Sequence, residues 1–414
     1  MVNAPGWYKI PLVYGNGIKN GVNNTSAYNS STSTFVDYKN NQIKNLTGPY
    51  IKYSGTPNSA VLLWQDAENL IQNLSYDNTD DGYLKFYISP STIKEGNALI
   101  AVRDNSANNI IMWSWHIWVS AVDYEKTITV TANDGTTTYD FMPVNVGWCN
   151  LGNLTSYPAR STKVRLKQAV NNATSILTIS QNPYNYASTS GNCTSYQWGR
   201  KDPVPPMSGI SNEGKPLYNS YFTHLDANPA RQATIRNPHV YYYGSVGQNW
   251  IWYNTSFYDS WSVGQTYVSP GASSVKSTTN TIKSVYDPSP VGFKVPPTFA
   301  FSALSSSSNI GQSNSITHAN NGRFVTGSWS RGAYFWTNNS KTEKIFIPSI
   351  GYHSYNNSSW VYGDDDTCSS PYCVNCVHRA ACDATPNFSI SINQIDITSS
   401  YATCWSFLLR PIAE

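Results

Sequence analysis

Charge is scarce in this chain. Only 12% of its 414 residues are Asp, Glu, Lys or Arg, and they nearly cancel to a net +3. No basic run gathers what is left, so the electrostatic footprint of a nucleic-acid binder is missing. No stretch approaches the unbroken apolar run that a membrane helix needs, which excludes a membrane span of that kind. The basic-then-apolar start of a signal peptide is also missing. Met1 is followed directly by Val2-Asn3-Ala4-Pro5-Gly6, which reads like the interior of a folded domain. The expectation is that an export segment and a first strand precede it. The alternative is a cytoplasmic or phage-encoded chain that starts at Met1.

Catalytic equipment is equally thin. With 6 His in the chain, there is no Gly-x-Ser-x-Gly elbow, no His-Glu-x-x-His and no phosphate-cradling Gly-Lys-Ser/Thr. No catalytic residue, metal site or cofactor is expected. Helical periodicity is nearly absent too. The best helical candidate, Trp64 to Asn73, is short enough to be a strand followed by a turn.

Aromatic residues are abundant at 14%, with 30 Tyr and 14 Trp. A chain so rich in Trp, Tyr, Ile and Val buries a core, while Ser, Thr and Asn supply solubility without charge. Strand signals dominate. In Ile111-Met112-Trp113-Ser114-Trp115-His116-Ile117-Trp118-Val119 the odd positions put Ile, Trp, Trp, Ile and Val on one face. The even positions put Met112, Ser114, His116 and Trp118 on the other, which describes a central strand covered on both sides. His116 among these tryptophans reads as a hydrogen-bonded core histidine.

Thr127–Thr131 and Thr138–Phe141 flank Asn133-Asp134-Gly135, a hairpin signal because Asp and Gly tolerate positive φ. Lys163–Ala169 and Ser175–Gln181 form a second hairpin turning at Asn171-Asn172. Past Gln181 the strands shorten and turns rich in Gly, Pro, Asn and Tyr take over. The change of style predicts a boundary near residues 121–126. No internal repeat of fixed period is visible.

Several segments carry a resemblance. Val2-Asn3-Ala4-Pro5-Gly6-Trp7-Tyr8-Lys9-Ile10-Pro11-Leu12-Val13-Tyr14-Gly15-Asn16 resembles the opening of fimbrillin-like surface proteins of the gut Bacteroidales. The strand Trp113–Trp118 and the stretch Tyr196-Gln197-Trp198-Gly199-Arg200-Lys201-Asp202-Pro203 are similar to theirs. So are Val285-Tyr286-Asp287-Pro288-Ser289-Pro290-Val291-Gly292-Phe293-Lys294-Val295-Pro296 and the ending Phe407–Ile412. These matches run in order along nearly the whole chain.

The resemblance implies a mainly β chain: an immunoglobulin-like β-sandwich over 1–122, then a loop-rich C-type-lectin-like α+β domain over 123–414. The latter is of the broad kind shared with formylglycine-generating enzymes and with the variable proteins of diversity-generating retroelements. It implies an extracellular adhesin at the cell surface or pilus tip. Its partners would be a host, microbial or glycan surface ligand and other pilus subunits. A phage receptor-binding protein built on the same module, and a structural pilus subunit, are the alternatives. Three departures stand out. Ser289 occupies a position where the family usually has Cys. Thr367-Cys368-Ser369-Ser370 lacks the aromatic expected before the two serines. The family's residues upstream of Met1 are not in the sequence.

Cysteines crowd the end of the chain: Cys368, Cys373, Cys376, Cys382 and Cys404, with Cys149 and Cys193 apart from them. Cys-x2-Cys near His378 is compatible with zinc, oxidation to disulfides suits an exported chain, and a diversified loop explains them equally. In an exported chain Cys149 and Cys193 are expected to pair or each to lie buried as an inert thiol, and at least one pair to form among the last five. Cys373 and Cys376 are too close in sequence for the copper-binding pair of formylglycine-generating enzymes.

From Val361 to Asn393 there is no Trp, Gln, Lys, Glu or Met. Codons of the form any-any-C or any-any-T cannot encode those five types, and adenine mutagenesis of Asn codons yields the remaining set. Antibody paratopes favour the mixture found here, because Tyr gives large contacts at little entropic loss and Asn and Ser give adaptable hydrogen bonds. The ligand-binding surface is therefore expected at Tyr355, Trp360, Tyr362, Asp364, Asp366, Tyr372, Asn375, His378 and Arg379. Asp364-Asp365-Asp366 reads as a solvated turn and not as a calcium site, since adjacent carboxylates diverge. Asp77, Asp80 and Asp81 read the same way. Arg200-Lys201-Asp202 reads as an internal salt bridge fixing a loop.

Overall fold

The computed structural model describes residues 1–29, 35–43, 48–150, 155–157, 160–181, 184–186, 191–206, 217–225, 227, 229–242, 259–264, 281–304, 316–317, 322–328, 332–348, 352–353, 360–361, 384–390, 394–402 and 404–414. The protein is mainly β. Among the described residues the one α-helix is Arg231–Arg236, and no helix is long and apolar enough to cross a membrane.

Two three-stranded antiparallel sheets feed the first core. One has the lateral order Gly6–Pro11, Tyr83–Ile88, Gln72–Asp77; the other has Pro57–Gln65, Gly96–Asp104, Ile111–Val119. The first is one-sided: Leu84, Phe86 and Ile88 point inward while their neighbours stay partly exposed. The second is covered on both faces. Ala98, Ile100 and Val102 enter the first core, and Leu99 and Ala101 join a small cluster with Leu63 and Trp64. The candidate helix over Trp64–Asn73 resolves into the end of one strand, a turn and the start of the next.

The strand Ile111–Val119 departs from expectation in two ways. It lies at the end of its sheet, where among the described residues only Val2 bridges its outer edge. Its second cover comes from the later part of the chain, not from flanking strands. The pairing also slips between Val102↔Trp113 and Arg103↔Ile111, which leaves Met112 as an extra residue. This bulge turns Met112 into the first core and sends Ile111 to the small cluster. Period-two reading fails at that one step for that reason.

The second core runs from Trp118 to Ile412 in sequence and gathers Trp148, Trp198, Trp261, Phe299, Phe301, Phe335 and Leu408. Ile235, Val285 and Tyr286 from the same stretch of chain pack into the first core instead. One four-stranded sheet has the order Phe293–Lys294, Ile412–Ala413, Thr138–Phe141, Ile128–Thr131. Another has Tyr196–Gln197, Ser406–Phe407, Tyr352–His353, Trp360–Val361. Both expected hairpins are present, Ile128–Thr131 with Thr138–Phe141 and Arg160–Lys167 with Thr174–Gln181. In the first, Gly135 alone takes positive φ. Asp134 serves through its carboxylate, which accepts from the Thr136 and Thr137 amides at 2.9 Å.

In the ending Cys404–Ile412, strand period puts Trp405, Phe407 and Leu409 on one face, but the segment does not alternate. Ser406, Phe407, Leu408, Leu409 and Arg410 are all buried, because the segment runs through the second core with protein on every side. Arg410 holds it there. Its Nε donates to Met142 O at 2.6 Å, and its guanidinium reaches Pro143 O at 2.7 Å and Asn145 Oδ1 at 3.3 Å. Arg410→Ala strands these acceptors without water, so it should lower unfolding free energy by about 3 kcal/mol in urea titrations. Arg410→Lys should recover only part, since an ammonium lacks the planar fork.

Candidate functional site

The outward face of Ile111–Val119 is polar where the odd face is apolar, and this polarity builds a seam between the two cores. Ser114 Oγ donates to Asp202 Oδ1 at 2.6 Å. Lys201 Nζ lies 2.6 Å from the same oxygen and 4.3 Å over the Trp113 ring. Lys201 and Asp202 thus form the salt bridge expected within Arg200-Lys201-Asp202, but they pin the strand as well as the loop. Burial pulls the Lys201 ammonium below its ordinary pKa, partly offset by Asp202. Arg200 turns elsewhere, to Gln197 Oε1 at 3.0 Å and the carbonyl oxygens of Pro238 and Val240.

His116 is the hub of the seam. Its Nδ1 is 2.9 Å from Tyr196 Oη, and its Nε2 is 3.0 Å from Asn97 Oδ1. The Asn97 amide nitrogen donates to Asp66 Oδ2 at 2.9 Å and Gly147 O at 3.0 Å, so Asn97 Oδ1 is the acceptor. Hence His116 Nε2 carries the proton and Tyr196 donates to Nδ1. The core-histidine reading holds. Burial pushes the imidazole pKa down to about 3.

Beside the seam opens a cleft of about 560 Å³, walled by Trp113, Trp115, Trp118 and Tyr124 and floored by the turn Asp287-Pro288-Ser289-Pro290. Lys283 makes that turn: its ammonium donates to Ser289 O at 2.9 Å, Pro290 O at 2.7 Å and Phe293 O at 2.5 Å. Asp287 accepts from the Ser289 and Val295 amides at 2.8 and 2.9 Å, and burial raises its carboxyl despite Lys283. Lys201 and Lys283 are both engaged by oxygens, so neither is held ready as a nucleophile. Ser289 is buried, and its hydroxyl helps hold down the Asp287 carboxyl against that burial.

The thiols separate by strand geometry. Cys149 pairs laterally with Asn192, so the next residue, Cys193, points to the opposite face. Cys193 enters the second core near Asn145 Nδ2, whereas Cys149 Sγ accepts from Asn97 Nδ2 at 3.3 Å. Burial raises the Cys193 thiol to about 12 and also raises Cys404, which is buried and unpaired. The buried-thiol alternative holds for the first two. Cys368, Cys373, Cys376 and Cys382 lie outside the described residues.

The predicted binding segment hangs on a fixed frame. His353 pairs with both Trp360 and Ser406, and Ser406 pairs with Gln197. Gln197 Nε2 donates to Cys404 O and Tyr242 O, each at 2.6 Å, and Tyr241 Oη donates to Cys404 O at 2.7 Å. Of the nine predicted contact residues, Trp360 sits on this frame. Tyr355, Tyr362, Asp364, Asp366, Tyr372, Asn375, His378 and Arg379 lie outside the described residues, as does Asp365. Asp77 and Asp81 pair with Lys9 and Lys52, and Asp80 takes positive φ in the same turn. No family model matches the chain, and no curated protein or solved structure is detectably similar to it.

Sequence reasoning missed Asn97 and Lys283. Asn97 had a signal, as the one amide in the apolar run Gly96–Val102. Lys283 had none; nothing in its surroundings separates it from a surface lysine.

Two outcomes follow. Below about pH 6.5 the unfolded imidazole of residue 116 takes a proton that the folded one refuses until about pH 3. Its contribution is therefore complete above pH 6.5 and is lost as the pH falls, by about 2 kcal/mol at pH 5. Urea midpoints measured from neutral pH to pH 5 should slope less steeply in His116→Gln. Separately, Ser289→Ala should lower unfolding free energy by about 1 kcal/mol in urea titrations, because it removes a hydroxyl that steadies the buried Asp287 carboxylate.

Proposed function

We propose that this protein is an extracellular adhesin of the fimbrillin-like class, displayed at a bacterial surface or pilus tip. In this reading residues 1–122 form an immunoglobulin-like sandwich, and residues 123–414 form a C-type-lectin-like domain that carries a variable binding surface. Two antiparallel sheets sharing one core support the first part. The lateral pairing of Phe141 with Ile412 supports the second, since a lectin-like domain brings its first and last strands together.

One observation carries the functional claim. The stretch Val361 to Asn393, with its restricted set of residue types, begins at a strand tied through His353 to the buried Ser406–Phe407 strand. A fixed frame lets the composition of such a segment change without disturbing the core, which a binding surface under diversification requires. Its amphipathic rings suit sugar faces or protein surfaces equally, so the ligand class is a host, microbial or glycan surface. A phage receptor-binding protein would use the same surface, and tail genes beside its coding region would identify it. A structural pilus subunit would leave the surface idle.

The test replaces Tyr355, Trp360, Tyr362 and Tyr372 together with Ala. Binding to glycan arrays and to whole host and microbial cells should disappear. Unfolding free energy should change by about 0.5 kcal/mol or less per site, as for exposed positions. Unfolding of the variant, or binding that survives it, would sink the proposal.

A further inference from the structure

The hairpin Arg160–Lys167 with Thr174–Gln181 stands apart from both cores. Every residue from Arg160 to Ser180 is exposed, and among the described residues no third strand pairs with it. A lone two-stranded ribbon is marginal in water, so its exposed surface calls for a use.

Its register sorts the side chains into two unlike faces, because cross-strand partners share a face. Arg160↔Gln181, Thr162↔Ile179, Val164↔Leu177 and Leu166↔Ser175 fall on one side; Ser161↔Ser180, Lys163↔Thr178, Arg165↔Ile176 and Lys167↔Thr174 fall on the other. One face is therefore mainly aliphatic, with Arg160 at its open end, and the other carries three cations around Ile176. Leu166, Leu177 and Ile179 are 56%, 53% and 52% exposed, and Val170 at the tip is 91% exposed. These are large apolar side chains offered to water together.

Charge is as uneven as polarity. Residues 160–181 hold four cations and no acid, whereas the whole chain nets only +3. The rest of the molecule is therefore net negative, and the ribbon is its one concentrated positive element. The ribbon also has no aromatic residue, in a chain that is 14% aromatic. That composition suits neither sugar stacking nor a protein interface anchored by Trp and Tyr. A second copy would bring four more cations against these four.

We propose that this ribbon docks on an anionic lipid surface. The aliphatic face and Val170 enter the boundary between headgroups and acyl chains, and the cationic face meets the anionic headgroups. Apolar area and basic charge together set the strength of such interfacial binding. The ribbon lies in the interface and does not cross it, because its unpaired strand edges would be unsatisfied in hydrocarbon. This is separate from ligand recognition at residues 355–379, and neither depends on the other.

Vesicle flotation of the full chain tests it, with phosphatidylcholine alone against phosphatidylcholine mixed with phosphatidylglycerol. The protein should float with the anionic vesicles only, and high salt should release it. Changing Lys163, Arg165 and Lys167 to Gln should weaken binding roughly 100-fold, at about fivefold for each cation near the surface. Leu166→Ser with Leu177→Ser should abolish binding without altering the melting temperature, since both positions are exposed. Equal flotation with neutral vesicles, no flotation at all, or undiminished binding of the triple variant would each overturn the proposal. So would a ribbon-dependent dimer in sedimentation without lipid, or capture of an acidic protein in its place.

Discussion

The hydrogen bond from Tyr196 to His116 ties the strand Ile111–Val119 to the second core. On one side the histidine is held by Asn97, which also reaches Asp66 and the Gly147 carbonyl. On the other, Tyr196 belongs to the strand that pairs with Phe407 in the second core. The bond needs a neutral ring with one fixed tautomer, and burial enforces neutrality. Ser114, two residues earlier on the same face, meets Lys201 and Asp202. A strand whose odd residues fill one core and whose even residues hydrogen-bond into another fixes the register of both halves at once.

The later part of the chain contains several strands of only two residues, too short to hold a shape through ladder bonds. Buried cations take over that task. Arg200 binds carbonyls of Pro238 and Val240, Lys283 those of Ser289, Pro290 and Phe293, and Arg410 those of Met142 and Pro143. Arg323 does the same between Trp336 and Thr131. Backbone oxygens that no strand partner reaches are satisfied by side chains with several donors. A sparsely charged protein thus places several of its few cations inside, where each one organises a turn.

Local signals in the sequence were read well, and long-range ones poorly. Asp134-Gly135 and Asn171-Asn172 announce their hairpins because turn chemistry depends on neighbours. The apolar and polar faces of Ile111–Val119 follow from strand period, except at Met112, where a bulge leaves no trace in composition. Edge position could not be read at all: covering by a remote body looks the same in a sequence as covering by adjacent strands. Arg410 is not legible as a clamp, because that role depends on carbonyls far away in the chain. Of the proposed binding surface, Trp360 is placed by its pairing with His353. The composition of the stretch around it says what such a surface would be made of, and not how it is arranged.

The bonds from Arg410 to Met142 span 268 residues, and Ile412 completes the sheet that Thr138–Phe141 begins. A ribosome adds residues one by one, so the strands near 128–141 leave the exit tunnel long before their neighbour exists. Until residue 413 emerges, Phe141 and Phe293 border a gap that the terminal strand will fill. Among the described residues, the buried members of the first core that are still missing once residue 119 has been made are Ile235, Val285 and Tyr286. Synthesis therefore imposes an order, in which the leading half takes shape while the trailing half waits open with its aromatic interior uncovered.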